Sequence, residues 1–214
     1  MIDRVAIDAV MIGASKPFAR GEFSSFDKQP VDDPVTVGIE GLVGDTQTDR
    51  RYHGGPDKAV HFYPADHYAF WADLIPDLAP KFVAGGFGEN LSASGLTEDQ
   101  VFVGDHWQMG SVIFEVAQGR QPCWKVDARF NRDGVVRQVV KTGRSGWYFR
   151  VIQPGVIVAG EAMQLVVRPQ QTWSVARVTA AILLKRATPA EFADLARLPA
   201  LAQGWRERAE RHAA

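Results

Sequence analysis

The sequence contains one cysteine, Cys123, in 214 residues. A single thiol cannot close a disulfide within the chain, so the chain suits a reducing compartment. It also leaves no thiolate set for a structural zinc centre, and the five histidines do not replace one. His53, His61 and His67 stand at spacings that fit neither helical i,i+4 pairing nor a zinc-finger pattern. An excess of charge of either sign is missing too: 24 Lys+Arg face 25 Asp+Glu, a net charge of −1. That balance argues against direct nucleic-acid binding and against adhesion to anionic membranes, while leaving room for a local basic pocket. The longest apolar runs fall well short of the ~20 residues that span a bilayer. The opening Met1-Ile2-Asp3-Arg4-Val5 has no basic stretch ahead of an apolar run, so no signal peptide is visible. A cytoplasmic protein with no membrane partner is the expectation. There is no Gly-x-Ser-x-Gly elbow for a serine hydrolase, and Glu40, Asp45 and Asp49 lack the spacing of a calcium loop.

What is present suffices for a sizeable core: 46% of residues are hydrophobic and 23% charged, ordinary values for a globular chain that folds without a metal or a disulfide. Residues 4–12 read as a buried strand, 13–34 as a loop or hairpin region, and the alternation of Val35, Val37 and Ile39 as another strand. Residues 65–74 read as a helix with Pro64 near its first turn and Pro76 as its stop. From 101 to 167 the text is β throughout, short apolar runs divided by glycine turns, which favours an antiparallel barrel or sandwich. After residue 173 the pattern turns helical, at about 175–187, 189–197 and 200–212. Thr188-Pro189-Ala190-Glu191 spells a capping box with proline at the first helical position. The expected domains are therefore 1–172, β-rich, and 174–214, a small three-helix appendage. That appendage carries seven Lys/Arg and four Asp/Glu, +3, which leaves about −4 for the rest. Three short basic helices raise a helix-turn-helix reader, but Ala, Leu and Arg alternate as an amphipathic bundle packed on the barrel or on a second copy of the chain. The latter leaves a homodimer open.

Three segments carry chemistry. Residues 41–61 are dense in Gly, Asp, Arg and His. Gly54 and Gly55 let the backbone approach a ligand closely. Arg50, Arg51 and Lys58 offer cationic donors to phosphate, and His53 can titrate near neutral pH. A solvated turn with incidental charges explains the same cluster, so spacing alone leaves both readings open. Gly85-Gly86-Phe87-Gly88-Glu89-Asn90-Leu91 lacks a dinucleotide fingerprint and reads as a structural turn, or as one that sets Asn90 against a ligand. Gly119-Arg120-Gln121-Pro122-Cys123-Trp124-Lys125 follows a strand. A lone cysteine is commonly a small buried apolar residue, yet Arg120 and Lys125 would favour the thiolate, the form that ligates metals and attacks electrophiles.

These segments together resemble the MOSC family, the molybdenum cofactor sulfurase C-terminal type domains, in its YiiM-like branch. The matching text is Gly-Leu-Val-Gly-Asp (41–45), Asp-Arg-Arg-Tyr-His-Gly-Gly-Pro-Asp-Lys-Ala (49–59) and Phe-Gly-Glu-Asn-Leu (87–91). It continues with Gly-Leu-Thr-Glu (95–98), Gly-Asp (104–105), Pro-Cys-Trp-Lys (122–125) and Thr-Gly-Arg-Ser-Gly-Trp-Tyr-Phe (142–149). Order and spacing agree across about residues 38–165, and the tail resembles the three-helix domain that follows MOSC in this branch.

The resemblance implies a mainly β fold with α: a MOSC-type β-barrel, pyruvate-kinase β-barrel-like, plus a small C-terminal three-helix bundle. It implies a molybdenum cofactor (Mo-molybdopterin) ligated by Cys123, and reduction of small N-hydroxylated substrates, hydroxylaminopurine-type base analogues among them, to amines. That is a detoxifying oxidoreductase served by a separate electron-donating reductase, a flavoprotein or iron–sulfur protein. By residue type, Arg51, Lys58 and Arg120 are assigned to the pterin phosphate or its vicinity, with Lys125 beside them. Gly54 and Gly55 offer backbone contact, Asn90 a hydrogen bond to substrate or pterin, and His53 a proton. Two rivals stand beside this: a carrier that holds the cofactor without turnover, and a sulfur carrier with a persulfide on Cys123.

Overall fold

The segment from Arg4 to Ile12 dictates how the sheet bends. Its first half, β1 (Arg4–Ala6), pairs antiparallel with β14 (Ala162–Val167), and its second half, β2 (Ala9–Ile12), pairs with β9 (Leu91–Ala93). In between run β10 (His106–Met109), β11 (Val112–Gly119), β12 (Trp147–Gln153) and β8 (Val60–Pro64), in the order β1-β14-β10-β11-β12-β8-β9-β2-β5, with β5 at Gln29–Pro30. A flat sheet would hold β1 and β2 roughly 34 Å apart, but the three-residue step from Ala6 to Ala9 reaches at most about 11 Å. The sheet must therefore wrap around. No hydrogen-bond ladder closes the ring among the described residues, which are 2–48 and 54–213 of this computed structural model. The chain itself spans the gap.

The remaining strands are β3 (Lys16–Pro17), β4 (Phe23–Ser24), β6 (Val35–Gly38), β7 (Gly41–Leu42) and β13 (Gly155–Ile157). The middle chain pairs β13-β6-β7, and β3 pairs with β4. One core fills the wrap and draws on both ends of the sheet. Val5 and Val10 share it with Val37, Phe62, Trp107, Phe114, Trp147, Phe149 and Ile157. Alternation on β12 places Trp147, Phe149 and Val151 inside and leaves Tyr148 and Arg150 on the other face, only partly buried. Each fully buried side chain of this size contributes about 1.5–3 kcal/mol.

Between Cys123 and Thr142 the structure departs from the β reading. α2 (Trp124–Phe130) and α3 (Val135–Thr142) interrupt the strands, and together with α1 (Asp66–Leu74) they form a flank. Their valines mimic a strand, but Val135 and Val139 are the buried pair, one helical turn apart. Asp127 accepts the N–H groups of Gly134 (3.2 Å) and Val136 (2.7 Å) and so sets the start of α3. This flank has its own aromatic core of Phe26, Tyr63, Trp71, Phe82, Phe87 and Phe130.

The tail is helical as expected: α4 (Val175–Leu184), α5 (Pro189–Ala196) and α6 (Gln203–Ala213). Ser174 caps α4, and Thr188 with Glu191 forms the capping box of α5. A third core joins these helices to the β part through Val103 and Trp173. A register shift in β11 between Val116 and Gln118 marks a bulge at Ala117, whose carbonyl accepts the Ala202 N–H at 2.9 Å. The bulge thus anchors the tail beside the start of α6.

Candidate functional site

Cys123 stands just past the end of β11, in extended backbone (φ −125°, ψ 174°) immediately before α2. Pro122 fixes the approach. Arg208 on α6 donates through Nη1 to Gln121 Oε1 at 2.7 Å and so ties the same loop to the tail. Cys123 is partly buried and lines two adjoining cavities. The larger holds about 740 Å³ and is walled by Gly54, Gly55, Lys58 and Lys125, by Tyr148, and by Trp205 and Arg208 from the tail. The smaller, about 90 Å³, lies toward the sheet and is lined by Lys28, Asp45, His61, Asn90, Arg120 and Tyr148 among others. Lys58, Lys125 and Tyr148 face both.

Most of the expected site residues meet here. Gly54 and Gly55 sit on the wall of the larger cavity, and the Gly55 N–H donates to Gln47 Oε1 at 3.1 Å, which pins the segment. Arg120 is buried. Its Nη2 donates to Phe87 O at 3.2 Å, while Nη1 has no hydrogen-bond partner among the described residues. Lys125 lies 3.7 Å from the Glu22 carboxylate and near Phe23 O. Asn90 lines the smaller cavity, but its amide is spent within the protein. Oδ1 accepts the His61 N–H, and Nδ2 donates to Met11 O and to Asp45 Oδ2. Arg51 and His53 fall outside the described residues, as do Asp49 and Arg50.

The Gly85–Gly88 segment is a turn stitched by a carboxylate. Glu89 accepts the N–H groups of Gly85 and Phe87 and the hydroxyl of Tyr68. Burial still pushes the Glu89 carboxyl above the ordinary carboxylate range.

Other residues came to the site without having been given a role there from the sequence. Tyr148 stacks obliquely on His61 at 5.1 Å. Burial raises its phenol above the usual value, against the pull of the Arg120 charge, so it stays protonated. Strand alternation opposite Trp147 and Phe149 was the signal that could have found it. His61 is buried and donates from Nε2 to Ser145 O at 3.2 Å. Burial first, then the Arg120 charge, drives its pKa well below 6.5 and keeps the ring neutral. Lys28 and Asp45 form a buried ion pair, and Asp45 Oδ1 also accepts the Gly13 N–H at 2.7 Å. Among the described residues, no group of three or more His, Cys, Asp or Glu side chains is placed to hold a metal, and no helix is long and apolar enough to cross a membrane.

The MOSC domain profile matches residues 49–164, and the profile of the YiiM-like, 3-alpha helix domain matches 173–211. Protein YiiM of Escherichia coli (strain K12) is 39% identical over 159 residues, covering 74% of this chain and 71% of its own. A protein named Reductase from Gibberella moniliformis (strain M3125 / FGSC 7600) is 34% identical over 177 residues, or 82% of this chain but 31% of that protein. The crystal structure of YiiM from Geobacillus stearothermophilus matches with a TM-score of 0.83 at 34% identity, over 98% of this chain and 100% of that one. MOSC domains are associated with the molybdenum cofactor. The chain belongs to the MOSC domain family and carries behind that domain the three-helix unit of the YiiM-like branch.

Proposed function

We propose that this chain holds a molybdenum–pterin cofactor through Cys123 and reduces small N-hydroxylated compounds to amines. The observation that carries the reading is the position of Cys123 at the junction of the two cavities, within a wall that includes Arg120, Lys58 and Lys125. The residues fit such a group. The thiol is a soft ligand suited to a sulfur-rich metal centre. The buried Arg120 Nη1 lacks a partner among the described residues and would gain one from an anionic or carbonyl oxygen. When bound, the cofactor supplies the two-electron redox chemistry.

The chain's own residues position and charge-balance. Gly54 and Gly55 bring backbone close to the ligand, while Lys58, Lys125 and Arg120 offset negative charge. The Tyr148 phenol, protonated and on the wall of both cavities, would donate a hydrogen bond to an acceptor on a bound group. Neutral His61 gives its Nε2–H to Ser145 O and orients that turn rather than moving protons. By residue type alone, His53 would serve as proton donor and Arg51 would meet the pterin phosphate or its vicinity; both lie outside the described residues. Electrons come from a separate flavoprotein or iron–sulfur reductase, in the cytoplasm. The relative named Reductase supports the redox reading.

The test is the molybdenum and pterin content of protein made in a host with intact cofactor synthesis, wild type beside Cys123→Ser. Near-equimolar molybdenum in the wild type, lost in the variant, is the expected result, followed by turnover of an N-hydroxylated base. Molybdenum without turnover would leave a carrier. An empty wild type beside a loaded control molybdoenzyme would defeat the reading and bring the persulfide forward.

A further inference from the structure

The Gly-Leu-Thr-Glu motif (95–98) takes no part in the cavities around Cys123, yet its glutamate is buried. Glu98 Oε1 accepts two backbone N–H groups, from Ser145 at 3.1 Å and Gly146 at 2.8 Å. Oε2 accepts the Nε2–H of His67 at 2.8 Å. An acceptor-only carboxylate matches three donors better than any other side chain of that reach.

The turn it holds grips the site loop in its turn. The Ser145 hydroxyl donates to Arg120 O, and the Arg120 N–H donates to Gly146 O at 3.0 Å. Both backbone groups of Arg120 are therefore fixed by the two residues whose N–H groups Glu98 fixes. Only glycine fits at 146, since its φ is +70° and a Cβ there would meet Phe62 O at 2.1 Å. With His61 on Ser145 O, the polar backbone of the turn is fully committed.

We propose that Glu98 is a positioning residue for the loop that carries Arg120 and Cys123. Through the Ser145–Gly146 turn its carboxylate sets the Arg120 peptide, and three residues on, past Pro122, it sets the thiol. The inference rests on the reading of Cys123 as the functional centre, but its test needs no cofactor. Cys123 is the chain's single thiol, so alkylation of the native protein by iodoacetamide, followed by intact mass, reports that one position.

Glu98→Ala leaves the buried Gly146 N–H unpaired, while the Ser145 N–H keeps Gly143 O at 3.0 Å, and is expected to change the alkylation rate by about fivefold or more, the scale of one hydrogen bond's net worth. Glu98→Gln keeps a carbonyl oxygen for both donors and is expected to hold the rate within about twofold. Ser145→Ala removes only the bond to Arg120 O and should shift the rate in the same direction as Glu98→Ala, by less. Circular dichroism at the assay temperature certifies each variant as folded. A purely structural role lowers the melting temperature and leaves the native thiol rate alone. Folded Glu98→Ala and Ser145→Ala proteins with wild-type rates would overturn the proposal, as would Glu98→Gln behaving like Glu98→Ala. If Glu98→Ala does not fold, Ser145→Ala against Glu98→Gln decides. A wild type without molybdenum would defeat the function proposed above and leave this result standing.

Discussion

Arg150 on β12 holds Asp57 with two guanidinium nitrogens, Nε at 2.8 Å and Nη2 at 2.5 Å from Oδ1. The pair ties the segment that carries Gly54, Gly55 and Lys58 to the sheet. It also ties both to the tail. Asp57 Oδ2 accepts the Gln203 N–H at the start of α6, and Arg150 Nη1 reaches Ala200 O and Glu115. Glu115 in turn meets His106 on β10. A single guanidinium thus joins three parts of the cavity wall.

Arg150→Ala is expected to cost about 1.5–3 kcal/mol, the range for hydrogen bonds to charged groups. Under the proposed function it should also weaken cofactor retention, because the Gly54–Lys58 segment loses its tether. Urea unfolding and molybdenum content after gel filtration check the two parts. Unchanged values in both would show that the network is a surface ornament of little weight, as many exposed ion pairs are.

A second expectation concerns how closely the tail sits on the sheet. A Cβ at Gly119 would lie 2.1 Å from Thr179 Oγ1 and 3.1 Å from the Trp205 ring. Gly119→Ala must therefore push α4 and α6 outward, at about 1–3 kcal/mol for overpacking, and move Trp205 and Arg208 away from the cavity. Thr179 Oγ1 is buried without a hydrogen-bond partner among the described residues, so Thr179→Ala alone should cost little. The double variant should recover most of the loss in a double-mutant cycle. Additive effects in denaturant unfolding would contradict the close contact as the cause.

Much of this could be read from the chain. The capping box at Thr188 and Glu191, the β-rich body and the helical tail followed from local pattern, whereas the grouping of Cys123, Arg120, Lys58 and the two glycines into one site came from the family resemblance. Local pattern could not place α2 and α3, because a valine run satisfies strand and helix alike until its partners are known. Nor could it tell that Asn90 spends its amide on Met11, Asp45 and His61, since those partners are distant in sequence. The tail read as a bundle packed on the barrel or on a second copy of the chain. Only packing across the Ala117 bulge reveals that Trp205 and Arg208 wall the cavity. The wrap of the sheet was legible as a barrel only through family resemblance. Its physical cause, the short step from β1 to β2, needs the pairing partners of both strands.

The last expectation is a pH dependence at Lys28 and Asp45. Burial lowers the Lys28 pKa from its usual 10.5, and Asp45 opposes that by charge and hydrogen bond. Asp45→Asn removes the opposing charge and leaves a buried cation with a neutral neighbour. Breaking such a pair costs about 3–5 kcal/mol, and the folded-state pKa of Lys28 must fall further. Between that folded pKa and 10.5 the unfolded chain binds a proton that the folded chain does not, so stability rises with pH in that window. In the variant the window opens at lower pH than in the wild type. Urea midpoints of the two proteins should therefore lie far apart at neutral pH and converge as pH climbs toward 10. A gap that stays constant from neutral to alkaline pH would mean that the lost bonds to Gly13 and Asn90, rather than the stranded charge on Lys28, carry the cost.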